Sequence, residues 1–350
     1  MNPLRVGIIG AGGMGRKRAA ALGPEARLVA VADDDIERAR SLGLAHGAAR
    51  TLGGRSCWSD LLALEDLDAV IVSTPHFALS TISMVALRLG KHVLVEKPAG
   101  LGLTDLGGLV RAARESKGTI RVGCNHRFHP GMQQIRDVLA QGGIGAVLNI
   151  RARYGHGGRL GYAQEWRANP ALSGGGELID QGVHLIDLCN WLVPGGFALE
   201  WGTISTQFWD MPVEDNALVA MRAGVIRATL SLSCTEWKNT FEFEVFGEKG
   251  KLQVTGLGRS YGVERFRWIS LGPEMWPAAR DETIDFRGDD PSWRDEWLGF
   301  VKAVGAHLKG PVGPEPVSDN ATVEDAERAM RIVDRVYRMN DAPWLVMAAP

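Results

Sequence analysis

The start of the chain narrows the possible folds more than any other stretch. Leu4 to Ile9 is a short, largely apolar run, followed at once by Gly10-Ala11-Gly12-Gly13-Met14-Gly15. An alanine-rich segment then runs to Gly23-Pro24. A run without polar alternation suits a strand covered on both faces. A G-x-G-x-x-G between such a strand and a helix is the turn with which a doubly wound α/β sheet holds a dinucleotide. Gly10 permits the tight turn, Gly12 lets the backbone approach a pyrophosphate, and Gly15 lets helix and strand pack closely. The helix N-terminus adds unsatisfied N–H groups and the positive end of a dipole. Gly10, Gly12, Gly13, Met14 and Gly15 are therefore the first expected cofactor contacts.

The alternation continues. A strand from Leu28 to Ala32 ends in Asp33-Asp34-Asp35. Asp33 stands about 20 residues past the glycines, where an acid bonds the adenosine ribose hydroxyls. An acid there repels a ribose phosphate, which favours NAD over NADP. Asp34 or Asp35 can cap the helix that begins at Ile36, leaving Asp33 free, while Arg38 and Arg40 are the cations that would oppose the preference. Ala69 to Ser73 is a further buried strand, ending at Thr74-Pro75-His76. A helix from Ala78 to Leu89 closes with Gly90, and His92 to Val95 ends in Glu96-Lys97-Pro98. Thr119 to Cys124 completes the sheet. Ligands sit at the carboxyl ends of such strands, so Ser73, Thr74, Pro75, Glu96 and Lys97 join the expected cofactor surface. Lys97 can also donate to a substrate hydroxyl and hold down the pKa of a nearby alcohol or imidazole.

A second marker is Gly174-Gly175-Gly176-Glu177-Leu178-Ile179-Asp180-Gln181-Gly182-Val183-His184, read as a glycine-rich loop entering a helix. Asp180 and His184 are one turn apart on one face, with Asp187 a turn further. A carboxylate beside an imidazole is a proton-handling pair. A histidine satisfied in the core is the structural alternative.

Taken together, the amino-terminal glycines, Glu96-Lys97-Pro98 and Asp180-x-x-x-His184 resemble the Gfo/Idh/MocA family of nicotinamide-dependent sugar and cyclitol oxidoreductases, over nearly the whole chain. The resemblance implies a Rossmann domain followed by an α+β domain with an open, largely antiparallel sheet, the cofactor lying between them. We place these at 1–124 and 125–350, with the last helices free to pack back on the first. The resemblance also implies Lys97, Asp180 and His184 as catalytic residues. It brings Asn125, Trp166 and Arg167 to the cofactor, and Lys97, Asn125, Asp180, Gln181 and His184 to the substrate. His184 is the expected base, although Asp180 could fill that role. A dinucleotide-binding regulator without turnover is the alternative function, since a fold does not fix an activity. Diol reduction or dehydrohalogenase-like chemistry is a further option within enzymes.

The second half reads less sharply. Cys124, His126 and His129 have a ligand-like spacing but no matching second pair, so no metal is expected. A structural role is at least as good a reading of Arg127. A helix from His129 to Gln141 and a strand from Ala146 to Tyr154 precede a polar, glycine-rich loop of 155–167. A structureless loop of that length is usually functional or disordered. With Trp166 and Arg167 in it, it suggests a lid, and His156, Arg159 and Tyr162 are candidate substrate contacts. Strands are expected at Leu199 to Phe208, Ala217 to Met221, Ile226 to Cys234, Phe241 to Phe246 and Lys251 to Thr255. Helices are expected at Trp293 to Lys309 and Asn320 to Met339, joined by a Gly310 to Pro316 connector. Trp201, Trp209, Trp237, Trp268 and Trp276 are either core or, on an open sheet face, a subunit contact of a homodimer or homotetramer. The net charge of -2 offers no basic surface for nucleic acid or anionic membrane. Scattered cysteines without a Cys-x-x-Cys, a strand beginning at Leu4 and the lack of a spanning apolar run point to a cytoplasmic protein with reduced thiols.

Overall fold

The computed structural model describes residues 2–272, 278–308 and 319–344, so Trp276, Lys309 and the Gly310 to Pro316 connector lie outside the described residues. The chain divides into two compact units: Met1–Asn125 with Trp293–Glu327, and His126–Ser292 with Arg328–Pro350.

The first unit alternates β1 (Leu4–Ile9), α1 (Gly13–Ala21), β2 (Ala26–Asp33), α2 (Ile36–His46), β3 (Arg50–Gly53), α3 (Cys57–Leu62), β4 (Ala69–Val72), α4 (His76–Arg88), β5 (His92–Glu96), α5 (Leu103–Glu115) and β6 (Ile120–Gly123). The strands lie in the order β3-β2-β1-β4-β5-β6 and pair in parallel. Such a sheet is covered on both faces, which is why β4 and β5 are buried at every position. The order reverses between β1 and β4, and that switch point is where open α/β sheets bind their ligands. Helix α9 (Ser292–Leu308) closes one face: Trp297, Phe300 and Val304 are buried with Val6, Ile8, Ile71 and Leu94.

The second unit contains α6 (Pro130–Ala140), β7 (Val147–Gly155), the short α7 (Pro170–Ser173) and α8 (Val183–Leu192). It continues through β8 (Ala198–Ser205), β9 (Asn216–Ala223), β10 (Ile226–Ser233), β11 (Thr240–Gly247), β12 (Gly250–Thr255), β13 (Glu264–Ser270) and β14 (Arg280–Phe286). Helix α10 (Val323–Met339) follows α9 in the chain. The eight strands form one sheet, β14-β13-β12-β11-β7-β10-β9-β8, in which only the β7–β10 pairing is parallel. Strand β11 shows the expected alternation, with Phe241, Phe243 and Val245 buried and Glu242 and Glu244 on the wetter face.

Three differences from the sequence reading have physical causes. The loop after β7 is not structureless: it holds 3-10 turns at Tyr162–Gln164 and Trp166–Ala168. Strands β13 and β14 have no apolar run to announce them. Cross-strand pairs of Arg265 with Asp285 and Arg267 with Asp281 line them instead. The tryptophans do not form one open face. Trp201, on β8, is exposed. Trp268 is half-buried beneath the Arg280 guanidinium, Trp209 packs against Tyr162, and Trp237 lies between β10 and β11. All four cysteines are buried free thiols.

Candidate active site

In the first unit the glycine loop is built for close approach. A Cβ on Gly15 would stand 2.0 Å from the Gly10 carbonyl oxygen, so only glycine lets α1 sit this near the turn. Ser73, just past β4, donates from Oγ to that same carbonyl at 2.8 Å. Gly12 and Gly13 face the other way: a Cβ on either would meet nothing within 4 Å. Gly12 is also the N-cap of α1 and supplies no side-chain cap, so the helix meets this space with its N–H groups uncovered. That is the space and polarity a pyrophosphate needs, and the residues present fit a dinucleotide. Met14, Thr74 and Pro75 are half-buried around the same switch point.

The sequence reading left Asp33 free, and in the structure its carboxylate is instead engaged. Its Oδ2 accepts the Ala11 N–H at 2.7 Å and its Oδ1 the Asp35 N–H at 3.0 Å. Asp35 is the cap of α2, accepting from Glu37 and Arg38. A carboxylate offers about four acceptor sites, so Asp33 keeps capacity for ribose hydroxyls while it braces the glycine loop. Glu96 also differs from expectation. Its Oε1 accepts from Arg18 Nε at 2.6 Å, and Arg18 is further paired with Glu296 inside the unit. What Glu96 can offer a cofactor is its backbone. Lys97 follows β5 directly and is half-buried, joined to Pro98 by a cis peptide bond.

In the second unit the helix bearing Asp180 and His184 starts differently from the sequence reading. Leu178–Gly182 is a π-helical turn, and the α-helix begins only at Val183. Such wide turns recur at functional sites because they re-aim side chains. Glu214 anchors this turn. It is buried, and accepts the N–H groups of Gly176 and Leu178 at 2.9 and 3.0 Å and the Tyr337 hydroxyl at 2.8 Å. A Cβ on Gly176 would lie 1.9 Å from the Glu214 carbonyl oxygen, so the loop before the turn must be glycine there.

Burial pushes the Glu214 carboxyl up to about 7, against its three hydrogen-bond donors, which favour the ionised form. The raised folded-state value means the folded chain holds this proton more tightly, so stability falls as pH rises from about 4.5 to about 7. Glu214→Gln should flatten that fall by on the order of 3 kcal/mol between pH 5 and pH 8. Urea unfolding of both proteins at the two pH values measures it. Parallel curves would remove Glu214 from the account.

Asp180 and His184 are both buried. Asp180 Oδ2 accepts from Arg167 Nε at 3.0 Å, and Arg167 lies 4.6 Å over the Trp166 ring. The charge of Asp180 raises the Arg167 pKa. The His184 ring stacks on His126, with centroids 3.7 Å apart and planes 20° from parallel. His126 Nε2 is 3.1 Å from the Tyr154 hydroxyl, which hydrogen-bonds Tyr261. Burial holds Tyr154 well above the ordinary phenol range and pushes Tyr261 up to about 12, so both stay protonated. Arg127 binds Asp187 in bidentate fashion at 2.8 and 2.6 Å, with both residues buried. That pairing ties α8 to the turn before α6. His129 faces Glu264 at 3.0 Å, so it and His126 are directed to separate partners. Among the described residues no group of three or more His, Cys, Asp or Glu could hold a metal.

Of the loop candidates, His156 accepts the Gly158 N–H at Nδ1 and brings Nε2 to 3.6 Å from Glu177. Burial lowers its pKa. Tyr162 is buried against Trp209, and Arg159 is held by Glu165. Gln181 is half-buried in the π-helical turn, and Asn125 is buried where the first unit ends. Sequence reasoning did not single out Tyr154, Tyr261, Glu177 or Glu214. One signal was available: the chain has only four tyrosines. Tyr154 touches His126, Tyr261 touches Tyr154, Tyr162 touches His156 and Tyr337 touches Glu214.

Comparison with known proteins gives the same family. A model described as an oxidoreductase family with an NAD-binding Rossmann fold matches residues 4–124. One described as the GFO/IDH/MocA C-terminal domain matches residues 132–253. The chain belongs to the Gfo/Idh/MocA family of oxidoreductases. Levoglucosan dehydrogenase of Pseudarthrobacter phenanthrenivorans is 26% identical over 251 residues, an alignment covering 64% of this chain and 60% of that protein. Inositol 2-dehydrogenase of Rubrobacter xylanophilus is 24% identical over 322 residues, covering 86% of this chain and 88% of the relative. A 3-ketoreductase from Actinomadura kijaniata, in complex with NADP and TDP-benzene, shares the fold with a TM-score of 0.79 at 22% identity, covering 96% of this chain and 98% of that one. A levoglucosan dehydrogenase in complex with NADH does so with a TM-score of 0.80 at 19% identity, covering 97% and 98%.

Proposed function

We infer that the protein transfers a hydride between a nicotinamide dinucleotide and a secondary alcohol or ketone of a sugar, nucleotide sugar or cyclitol. The observation that carries this reading is the buried Asp180–His184 turn, with Arg167 on the carboxylate and His126 stacked on the imidazole. The dinucleotide, when bound, supplies the hydride acceptor or donor. The chain's residues move the proton. In the oxidation direction His184 takes it from the substrate hydroxyl, and Lys97 stabilises the negative charge that develops on that oxygen. Asp180 orients the substrate or the imidazole. A carboxylate already holding a guanidinium is a poor proton acceptor, which favours His184 over Asp180 as the base. Within the loop, Arg167 holds Asp180 directly and His156 lies beside Glu177. Turnover of a sugar and cyclitol panel, followed by nicotinamide absorbance, tests the reading.

NAD is the preferred cofactor in this account. Asp33 ends β2, and the two nearby arginines are already engaged, Arg38 with Asp35 and Arg40 with Glu37. Both pairs are exposed and weak, so the preference rests on the Asp33 carboxylate itself. Asp33→Ser should weaken NAD about ten- to a hundredfold, the loss of charged hydrogen bonds, and bring its affinity closer to that of NADP. Calorimetric titration reads both. Equal NAD and NADP affinity in the unmutated protein would sink the assignment.

We also propose a homodimer or homotetramer joined through the open face of the eight-stranded sheet. Trp201 and Leu218 are 51% and 48% exposed there. Trp201→Asp should lower the mass seen by light scattering, because a charge in such a contact is costly. A monomer at micromolar concentration in the unmutated protein would rule the contact out. No helix among the described residues is long and apolar enough to cross a membrane, and reduced buried thiols suit a cytoplasmic setting.

A further inference from the structure

One aromatic cluster in the second unit has no part in the proton chemistry. Phe208 and Trp237 are 59% and 64% exposed, and their rings meet edge to face with centroids 4.6 Å apart. Phe208 contacts Trp209 at 5.2 Å, and Trp209 contacts Tyr162 at 5.5 Å. Tyr162 meets His156 at 5.6 Å, and His156 lies 3.6 Å from Glu177. A series of ring contacts therefore runs from solvent to His156, which faces Glu177, three residues before Asp180 in the chain.

The cluster is held stiffly. Buried Asp215 collects the N–H groups of Gln207, Phe208 and Trp209 at 2.9, 2.8 and 3.0 Å. Trp209 Nε1 donates to the Cys234 carbonyl at 2.9 Å. Trp237 has a φ of 55°, a left-handed backbone that bulky residues rarely adopt. Its neighbour Glu236 donates its N–H to the His156 carbonyl at 3.0 Å. A Cβ on Gly157 would sit 3.0 Å from Trp237 Cα, so the loop leading to His156 and the strained residue are packed together. Strain of this kind persists where the surrounding structure imposes it, and here it carries a large ring into water rather than into the core.

We propose that Phe208 and Trp237 form a second sugar subsite, an aromatic platform for a ring glycosidically linked to the one that reacts. This rests on the reading of the substrate as a sugar and adds that the substrate is a glycoside or oligosaccharide rather than a free monosaccharide. The C–H face of a pyranose is apolar and its hydroxyls point outward, so it buries against an exposed aromatic face while its polar groups stay wet. Two side chains expose far too little area for a protein partner, which needs about 800 Å² on each side. Their continuity with His156 fits an extension of the substrate already in the site.

The test compares glucose, methyl glucoside, cellobiose and maltose, and a second monosaccharide with its own disaccharides. The holoenzyme should show a KM about tenfold lower for a disaccharide than for its monosaccharide. Trp237→Ala should remove that advantage while leaving monosaccharide kcat and KM unchanged. Trp237→Gly guards against misfolding, since glycine adopts the left-handed backbone without strain. It should give the same result. A disaccharide advantage that survives both variants overturns the platform, as does an equal loss on both sugar sizes. If Trp237→Ala instead changes the oligomeric state, the patch is a contact between copies and the subsite is wrong. If no sugar turns over, the oxidoreductase reading fails separately. Calorimetric titration of the disaccharides into unmutated and Trp237→Gly protein then decides the platform alone, and equal affinities would overturn it.

Discussion

His184→Ala should lower kcat in the oxidation direction by about a hundred- to ten-thousandfold, the contribution of a positioned general base. The pH dependence should change with it. Oxidation needs a neutral imidazole to receive the hydroxyl proton, so the unmutated rate should rise with pH through the neutral range and level off above it. The variant should lose that rise. The stacked His126 sharpens the expectation, because a proton on one ring of such a pair disfavours a proton on the other. His126→Phe keeps a flat ring against His184 and should alter the acid limb without abolishing turnover. Dinucleotide affinity should hardly move in either variant, since the glycine loop and Asp33 belong to the other unit. A His184→Ala protein that keeps both its rate and its pH rise would transfer the base role to Asp180 or to solvent.

Lys97→Met should lower kcat by about a hundred- to a thousandfold with little change in NAD affinity. The expected loss is that of a donor aimed at charge that develops in the transition state. Methionine keeps the length and apolar stem of lysine and removes only the ammonium, so a fall in turnover reports charge rather than packing. Arginine should not restore it, because a planar fork does not replace a compact point charge. Normal turnover in Lys97→Met would leave the lysine a structural role only.

The first unit was legible because its determinants are local. The apolar runs of β1, β4 and β5 lie next to the glycines and carboxyl-end residues they position. The parallel sheet and its switch point follow from that alternation. The residues around His184 were less legible, because they come from distant stretches. Tyr154 lies near the end of β7 and Tyr261 in a turn between two other strands, and only folding brings Tyr154 to His126 and Tyr261 to Tyr154. Glu214 looks like any loop acid in sequence, yet it accepts the Gly176 and Leu178 N–H groups ahead of His184 and the Tyr337 hydroxyl from α10. The π-helical turn was invisible for a similar reason. Leu178 to Leu188 carries apolar residues at helical spacing, and nothing in that pattern separates a wide turn from an α-helical one. Asp33 and Glu96 show the reverse case: each ends a strand, at a place legible from the sequence, but their partners, Ala11 and Arg18, could be seen only in three dimensions.

The most direct test of the account is nicotinamide absorbance with the purified protein and NAD over a panel of hexoses, glycosides, nucleotide sugars and inositols, with His184→Ala run in parallel. The account predicts NAD-dependent oxidation of at least one member, rising with pH through neutrality and nearly absent in the variant. Dinucleotide binding without turnover of any member, in either direction, would contradict it and leave a cofactor-binding regulator.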